Sequence, residues 1–330
     1  MNTAFRLGTR GSQLALWQAN TVAARIAKAG GPSCEIVVLK TDGDRIQDRP
    51  LSEIGGKGLF VKEIEDALLG GAIDLAVHSS KDMAAVLPPG LTIAGTLPRE
   101  NPLDAVVLSR RTQGSGLRAE EALSAQPPAL TSIEELVRVL GEAPSIGTGS
   151  VRRVAQLIRL FPGARFTGIR GNLDTRLRKL DEGAHDALVL ASAGLNRLGF
   201  GARISLSIPA DHCVPAPGQG IVAIEIREND TRVREAVARI ADADAGDALA
   251  AERAVLETLG GGCQTPAGAL ATIAGNDRLE LIAMVASLDG SRLIRGRAAG
   301  PRAEARALGV RVGRQLLADG AAAILAELGT

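Results

Sequence analysis

Arginines cluster in residues 145–176, which read SIGTGSVRRVAQLIRLFPGARFTGIRGNLDTR. Two short apolar runs end in turns of small residues; Arg152 and Arg153 follow the first turn, and Arg170 and Arg176 surround the second. A strand that breaks at Gly-Thr-Gly-Ser before a helix presents backbone N–H groups where the helix dipole favours anions. Guanidinium groups bind carboxylate or phosphate through paired hydrogen bonds. The stretch therefore predicts a site for a ligand with several negative charges, although a solvated helix face would explain any single arginine.

Two further residues stand where they can take part in chemistry: Asp82 in the run HSSKD and Cys263 in the run GGGCQTP. A carboxylate among cationic groups can stabilise a developing positive charge, or exchange protons where its pKa is shifted. The simpler interpretation of Asp82 is a helix cap or a surface ion pair with Lys81. The glycines before Cys263 and the proline after it predict a loop, which favours a reactive or modified thiol. The spacing alone leaves a small buried side chain equally open.

The run GGKGLF at residues 55–60 resembles a phosphate-binding loop only superficially. It lacks the spacing G-x-x-x-x-G-K-[ST] and no strand directly precedes it, so we exclude a nucleotide site there. Together with the charged, glycine-containing stretch that starts at Lys40, it is better interpreted as a mobile lid over residues 40–58.

Composition excludes several classes of protein. The chain has 330 residues, enough for two or three domains, and its 38 basic and 37 acidic residues leave a formal net charge of +1. That balance, with five Phe, one Trp and no Tyr to stack on bases, argues against nucleic-acid binding. No apolar run approaches the length of about 18 residues that a membrane span needs, and the N-terminus lacks a signal-peptide pattern, so we expect a cytoplasmic protein. Three widely spaced cysteines predict neither a disulfide framework nor a zinc site.

Apolar runs alternate with helical patterns through most of the chain. This alternation predicts α/β lobes with mostly parallel sheets, and it occurs twice, with Gly8-Thr9 and Gly147-Thr148 in matching places. The elements predicted for the first lobe are a strand that ends at Arg6–Gly8, a helix capped by Ser12, the strand Glu35–Leu39, the helix Phe60–Leu69 and the strand Ile73–Val77. Those predicted after it are strands over 145–147, 166–169 and 186–191, a helix over 173–182 and the strand Ile221–Ile226.

The last segment of the chain has a different pattern. The strands Leu279–Ser287 and Arg292–Arg297 meet at Asp289-Gly290, a pair typical of a hairpin turn. A helix over Ala248–Leu259 and two more within residues 302–318 and 321–328 complete a small α+β domain.

The two lobes are expected to place Asp82 near the arginines. In open parallel sheets, ligands bind beyond the carboxyl ends of the strands. Asp82 follows the strand Ile73–Val77 at that edge, and the turn at 147–150 lies at the equivalent edge of the second lobe. A cleft between the lobes would therefore bring Asp82 close to Arg152 and Arg153.

Eight motifs occur in the order and spacing of one protein family. They are LGTRGSQLALWQA, GGKGLFVKEIE, AVHSSKD, GTGSVRR, IRGNLDTRL, ASAGLNRLG, PAPGQG and GGGCQTPAGA. On these motifs the chain resembles the porphobilinogen deaminases, or hydroxymethylbilane synthases, from Arg6 to about Ala326. The resemblance implies two lobes similar to type II periplasmic binding proteins and a small C-terminal α+β domain that carries the cysteine loop. The implied domains are residues 1–100 with 221–240, residues 101–220 with a surface insertion at about 110–132, and residues 241–330.

The resemblance also implies a reaction. The family joins four porphobilinogen molecules head to tail, with release of ammonia, on a covalently bound dipyrromethane cofactor, and hydrolysis frees linear hydroxymethylbilane. By match, Cys263 holds the cofactor through a thioether bond, and Asp82 is the catalytic aspartate that stabilises the positive charge formed when a pyrrole attacks. The residues matched to cofactor binding are Lys81, Asp82, Thr148, Ser150, Arg152, Arg153 and Arg176. Those matched to the substrate and the growing chain are Arg10, Ser12, Gln18, Phe60, Arg170, Arg176 and Arg197, and no metal is implied.

Two positions depart from the common family pattern: Ala84 replaces a usual proline, and Gly149 replaces a common serine. Neither removes a principal catalytic residue. The implied partners are porphobilinogen and, by hand-off of the product, uroporphyrinogen III synthase, with no nucleic acid or membrane and with a monomeric chain. Two alternatives remain open from the residues, namely a two-lobed organic-anion-binding protein without turnover and a nucleic-acid-binding protein that uses the arginines.

Overall fold

The computed structural model describes residues 4–41, 61–110, 129–261 and 265–328. Nearly all of the predicted lid, most of the predicted insertion, and the residues Phe60 and Cys263 lie outside the described residues. Within the described ranges, no helix has both the length and the apolar character needed to cross a membrane.

Strands and helices alternate along most of the chain. The described strands are β1 (Phe5–Thr9), β2 (Cys34–Val38), β3 (Leu75–Ser79), β4 (Leu91–Thr96), β5 (Asp104–Leu108), β6 (Ser145–Gly147), β7 (Arg165–Thr167), β8 (Ala187–Ala191), β9 (Leu206–Ile208), β10 (Val222–Arg227), β11 (Ala267–Ile273), β12 (Arg278–Ala286) and β13 (Leu293–Pro301). The described α-helices are α1 (Gln13–Lys28), α2 (Lys62–Leu69), α3 (Ile133–Leu140), α4 (Val151–Leu157), α5 (Leu173–Asp181), α6 (Ser192–Arg197), α7 (Thr231–Ala238), α8 (Ala243–Thr258), α9 (Ala305–Leu316) and α10 (Ala322–Leu328).

Two five-stranded sheets share one plan. The order is β2-β1-β3-β10-β4 in the first sheet and β7-β6-β8-β5-β9 in the second. The second strand of each order, β1 or β6, is parallel to both of its neighbours. The fourth strand, β10 or β5, is antiparallel to both of its neighbours. The chain enters the second lobe through β5 and returns to the first lobe through β10. Four strands of each sheet therefore run one way, which confirms two similar α/β lobes with mostly parallel sheets.

The match between Gly8-Thr9 and Gly147-Thr148 is present in these sheets. Gly8 pairs with Ala76 on β3, and Gly147 pairs with Leu188 on β8. A Cβ atom at either glycine would require a neighbouring side chain to move, since it would lie 2.3 Å from Cδ1 of Ile73 at Gly8 and 2.4 Å from Cδ2 of Leu188 at Gly147. Glycine therefore permits close packing at the points where β1 and β6 end.

Helix α1 illustrates how the first lobe is built. Ser12 caps it, with the hydroxyl accepting a hydrogen bond from the N–H of Ala15 (3.3 Å). Val22 and Ile26 are buried, and they pack in the same core as Leu75 of β3. Full burial of an aliphatic side chain of this size stabilises the fold by about 1.5–3 kcal/mol. These contacts hold the start of α1 at the sheet edge where β1 ends.

The third sheet is antiparallel, in the order β11-β12-β13. Helices α8 and α9 pack closely together, since a Cβ atom at Gly309 would lie only 2.1 Å from the carbonyl oxygen of Ala251. The core of this region includes Val255, Leu281 and Leu308. The strands β12 and β13 form the predicted hairpin, and the small C-terminal α+β domain is confirmed.

Several boundaries and elements differ from the predictions. The strand predicted at Ile73–Val77 lies at Leu75–Ser79, because His78 and Ser79 pair with Ala223 and Val222 of β10. The described helix of the region predicted from Phe60 begins at Lys62. The pattern did not predict β4, β5, β9, β11, α3, α6 or α7.

Candidate functional site

Helix α4 begins directly after the turn at residues 147–150. The hydroxyl of Ser150 accepts a hydrogen bond from the N–H of Arg153 (3.4 Å), and the hydroxyl of Thr148 accepts one from the N–H of Ser150 (3.4 Å). The chain therefore occupies two of the N–H groups that the sequence predicts to be free for an anion.

Both arginines of α4 converge on Asp104, the first residue of β5. The Nη1 atom of Arg152 lies 2.8 Å from Oδ2 of Asp104, and Nη2 of Arg153 lies 2.7 Å from Oδ1. Asp104 is fully buried. Burial by itself would raise the pKa of Asp104, but the charges and hydrogen bonds of Arg152 and Arg153 outweigh it and hold the pKa far below its ordinary value. Asp104 therefore stays ionised and balances one of the two arginine charges.

The other hydrogen bonds of these arginines differ. Arg153 uses Nε and Nη2 for Asp104 and donates from Nη1 to the carbonyl oxygen of Val189 (2.9 Å). The side chain of Arg152 donates from Nη1 alone within the described ranges, to Asp104, to the carbonyl oxygen of Val214 (2.6 Å) and to the sulfur of Cys213. Toward the described residues, Nε and Nη2 of Arg152 keep N–H groups that a ligand can use.

The turn after β3 brings Lys81 and Asp82 close to this cluster. Burial lowers the pKa of Lys81; the charge of Asp82 opposes that shift, and the charges of Arg153 and Arg152 lower the pKa further. Coulomb effects of this kind fall off with distance. The charges of Lys81 in the first lobe and of Arg152 and Arg153 in the second lobe therefore influence one another.

Arg176 joins the cluster from α5. Its Nε donates to the carbonyl oxygen of Gly171 (2.8 Å). Burial lowers the pKa of Arg176, the charges of Arg153 and Arg170 lower it further, and the charge of Asp82 opposes this. Positive groups thus outnumber the carboxylates around Asp82. The cations are Lys81, Arg152, Arg153, Arg170 and Arg176, and the carboxylates are Asp82 and Asp104. We call these seven residues the cationic cluster.

A cavity opens beside Asp82 in the first lobe. Its polar lining is formed by Arg10, Ser12, Gln18, His78, Ser79 and Asp82, and its apolar lining by Leu14, Ala15, Val61 and Val77. Gln18 is buried, and its Nε2 donates to the hydroxyl of Ser79 (2.9 Å). Three of the residues matched to substrate binding therefore share one cavity with Asp82, and they offer a guanidinium, a hydroxyl and an amide to a polar ligand.

Arg197 lies at a contact between the lobes and not in the lining of this cavity. Its guanidinium carbon lies 5.6 Å from the centre of the Trp17 ring on α1, and its Nη2 donates to the carbonyl oxygen of Gly220 (2.7 Å). Burial lowers the pKa of Arg197, and the charge of Glu100 opposes that shift. In this structure Arg197 links α6, α1 and the segment that returns to the first lobe.

Glu252 on α8 joins three parts of the chain. Its carboxylate accepts hydrogen bonds from Nη1 of Arg99 (2.6 Å) and from the N–H groups of Gly218 (2.6 Å) and Ala271 (2.7 Å). Glu252 is fully buried, as is Asp104. The sequence analysis missed both residues. An acidic residue beside a mostly apolar run, as in DAVVL or ALAAERAVL, is a signal for such a buried and paired carboxylate.

The fold and the cleft define a two-lobed α/β protein with a cationic cleft and a third domain. Comparison with family models places it more narrowly. Residues 5–235 match the model of the porphobilinogen deaminase, dipyromethane cofactor binding domain, and residues 247–318 match that of the porphobilinogen deaminase C-terminal domain. The chain belongs to the porphobilinogen deaminase family.

Similar curated proteins cover nearly the whole chain. Porphobilinogen deaminase of Syntrophobacter fumaroxidans is 45% identical over 324 residues, which is 98% of this chain and 97% of the relative. That of Trichlorobacter lovleyi is 43% identical over 324 residues, or 98% of this chain and 96% of the relative. Among solved structures, substrate binding domain 2 of Lactococcus lactis GlnP has a TM-score of 0.41 and 11% identity, covering 78% of this chain and 90% of that one. The assignment of the two lobes rests on their strand order and not on that distant likeness.

Proposed function

We propose that this cleft carries out the reaction of the family. Four porphobilinogen molecules are joined head to tail on a dipyrromethane primer, with loss of ammonia at each addition, and linear hydroxymethylbilane is then released by hydrolysis. One observation carries the proposal: Asp82 borders both the cavity with Arg10, Ser12 and Gln18 and the cations of the second lobe. A carboxylate in that position can act on a pyrrole while the surrounding cations hold its acidic side chains.

The residues of the cleft fit a dipyrromethane cofactor. Each pyrrole carries an acetate and a propionate. Burial is the main cause of the lowered pKa values of Lys81 and Arg176, neighbouring arginines lower them further, and the carboxylates of the cofactor would offset both effects. When bound, the cofactor supplies the pyrrole to which the first porphobilinogen is joined. The residues that would hold it are Lys81, Asp82, Thr148, Ser150, Arg152, Arg153 and Arg176, with Cys263 as the point of covalent attachment.

The strand after Cys263 supports attachment at that residue. On β11, the N–H of Ala269 donates to the carbonyl oxygen of Pro215 (3.0 Å), and a Cβ atom at Gly268 would lie 2.7 Å from the carbonyl oxygen of Val214. That same oxygen of Val214 accepts a hydrogen bond from Arg152. Cys263 precedes Gly268 by five residues, and such a segment spans at most about 18 Å. The length of this segment therefore allows a group attached at Cys263 to reach the arginines of α4.

Asp82 supplies electrostatic stabilisation in this proposal. Loss of ammonia makes porphobilinogen electrophilic, and attack by a pyrrole places positive charge on the ring that attacks. A carboxylate fixed near the pyrrole nitrogen stabilises that charge as it develops. The residues proposed to hold porphobilinogen and the growing chain are Arg10, Ser12, Gln18, Phe60, Arg170, Arg176 and Arg197.

Family membership favours this transferase over an organic-anion-binding protein without turnover, since both matched models describe deaminase domains. We also propose the division into residues 1–100 with 221–240, 101–220 and 241–330. It is supported by the strands of the three sheets, which fall within 5–96 with 222–227, within 104–208 and within 267–301. Our proposal further includes a cytoplasmic monomer that passes its product to uroporphyrinogen III synthase.

The intact mass of the purified protein tests the proposed function. We expect the wild type to carry the added mass of two linked pyrrole units and the variant Cys263→Ala to carry none. Cys34→Ala is the control, because Cys34 is a partly buried free thiol in the first lobe and should leave loading unchanged. A wild type that keeps its bare sequence mass after incubation with porphobilinogen would contradict the deaminase function. A loaded Cys263→Ala variant would contradict only the attachment site.

A further inference from the structure

The tip of the hairpin between β12 and β13 contacts the C-terminal end of α4. Gly290 at this tip has a φ of +70°. A Cβ atom there would lie 2.5 Å from the carbonyl oxygen of Ala155 and 2.4 Å from Cγ2 of Ile158. Glycine is therefore needed at position 290 for two reasons, the left-handed backbone and the close approach of α4.

The hairpin tip is held by its own hydrogen bonds. Asp289 accepts hydrogen bonds from the N–H (3.1 Å) and the hydroxyl (2.9 Å) of Ser291, and from the hydroxyl of Ser287. These bonds lower the pKa of the Asp289 carboxyl to about 2. The tip therefore presents Gly290 to α4 on a turn with a defined geometry.

Two further contacts bind α4 to the third sheet. The Nη1 atom of Arg159, just beyond α4, donates to the carbonyl oxygen of Gly290 (3.3 Å). An apolar cluster lies beside this hydrogen bond, with buried members from α4, from β12 and from the segment before β10. These members are Ala155, Val214, Met284 and Ala286. Helix α4 has only seven residues; Asp104 holds the side chains near its start, and the third sheet holds its end.

We propose that Gly290 is a positioning residue, through which the third domain sets the place of α4 and thereby of the guanidinium groups of Arg152 and Arg153. The identity of the ligand that these groups hold rests on the proposed function; the coupling between hairpin and helix does not. A Cβ atom at residue 290 would force the helix and the hairpin apart by about 1 Å, from 2.5 Å to the 3.4 Å at which ordinary contact begins. A misplacement of about 1 Å can lower a reaction rate roughly 100-fold.

The test compares Gly290→Ala with Gly275→Ala. Gly275 has the same φ of +70° and lies in the other hairpin of the third sheet, but a Cβ atom there meets nothing within 4 Å among the described residues. Both variants share the strain of alanine in a left-handed conformation, so any difference between them reports the contact with α4. The measurements are hydrogen exchange of a peptide that covers residues 151–161, and kcat and KM for porphobilinogen in the cofactor-loaded fraction.

We expect faster hydrogen exchange in this peptide for Gly290→Ala alone, and a fall in its kcat of at least 10-fold. Gly275→Ala should match the wild type within about twofold. Equal exchange and equal kinetics in the two variants would overturn the proposal. If the wild type makes no bilane at all, the proposed function fails, while the exchange measurement still decides whether the hairpin positions α4.

Arg159→Gln is a second variant in case Gly290→Ala does not fold, since it removes the hydrogen bond to Gly290 without adding atoms to the contact. The exposed Arg138 on α3 provides its control, Arg138→Gln. Arg159→Gln should raise exchange in residues 151–161 and lower kcat by a few-fold, and Arg138→Gln should change neither. If Arg159→Gln behaves as Arg138→Gln does, the coupling is wrong.

Discussion

The two lobes share a strand order but differ in the residues that come after β1 and β6. In each lobe a Gly-Thr pair at the end of the strand precedes a helix capped by a serine hydroxyl, Ser12 in the first lobe and Ser150 in the second. After the cap, the first lobe has Leu14 and Ala15, which line a cavity with Asp82. The second lobe has two arginines in the first turn of its helix. The same arrangement of strand and helix therefore lines a cavity in the first lobe and carries two arginines in the second.

The strands beside these two helices, β5 and β10, also differ between the lobes. Asp104 of β5 pairs with Ala191, the last residue of β8, and Val222 of β10 pairs in the same way with Ser79, the last residue of β3. A buried carboxylate is costly unless it is paired. At this position the buried carboxylate occurs in the lobe whose helix carries arginines, and an apolar valine occupies the matching place in the other. The counter-charge of the α4 arginines therefore comes from the strand beside them, and the first lobe, whose helix lacks these arginines, has valine at that position.

Asp82→Asn should have the largest effect, because it removes the carboxylate that faces both the cavity and the cations. The rate of hydroxymethylbilane formation should fall by about 100-fold or more, the usual range for loss of a group that stabilises transition-state charge. Asp174→Asn, an exposed carboxylate on α5, should keep the wild-type rate. Near-normal bilane formation by Asp82→Asn, measured on folded protein, would remove Asp82 from the catalytic role.

Asp104→Asn should lower the free energy of unfolding by roughly 3–5 kcal/mol, because it leaves two buried guanidinium groups without a counter-charge. The control in the first lobe is Asp74→Asn, which breaks the ion pair of Asp74 with the partly exposed Arg6. Pairs of that kind contribute about 0–1 kcal/mol. Urea denaturation of the two variants measures the contrast, and equal losses would mean that Asp104 is not the counter-charge of the second lobe.

Acid should weaken the second lobe through the same carboxylate. The folded-state pKa of Asp104 lies below its ordinary value of about 3.9. Its contribution to stability is therefore fully present above that pH and is lost as the pH falls below it toward the folded-state pKa. The difference in unfolding free energy between the wild type and Asp104→Asn should be constant from pH 5 to 7 and shrink below about pH 4. A difference that shrinks between pH 7 and 5 would contradict this assignment.

Arg197→Gln should have the smallest effect on stability, since it removes one stacking contact between the lobes and one hydrogen bond to the carbonyl oxygen of Gly220. A cation stacked on an aromatic ring contributes about 0.5–1 kcal/mol at exposed sites. Trp17 is the only tryptophan of the chain, so its fluorescence reports this contact directly. We expect a changed emission spectrum in Arg197→Gln and an unchanged one in Arg138→Gln. An unchanged spectrum in both would mean that the two side chains do not stack in solution.

Local patterns predicted the features that depend on neighbouring residues. The cap at Ser12, the turn before α4 and the hairpin at Asp289-Gly290 follow from side chains a few positions apart, and all three are present. Glycine at positions 8 and 147 revealed the likeness of the two lobes, because the close packing that requires it recurs in both.

Contacts between distant residues were not predictable in this way. The carboxylate that pairs with Arg152 and Arg153 comes from Asp104, 48 and 49 positions away, and no short motif joins them. Strand β3 extends to Ser79 because its partner β10 arrives from far along the chain. The resemblance to a family supplied the roles of Asp82 and the arginines, but it did not indicate Asp104, Glu252 or the stacking of Arg197 on Trp17.

The position of β10 has a consequence for the synthesis of the protein on the ribosome. This strand lies between β3 and β4, yet 131 residues separate Thr96, where β4 ends, from Arg227, where β10 ends. At about 5–20 residues per second, this interval takes roughly 7–26 s. Throughout it, one edge of β3 and one edge of β4 lack their partner, and such edges attract strands from other chains. The N-terminal third of the nascent chain therefore cannot complete its sheet until the whole second lobe has been synthesised.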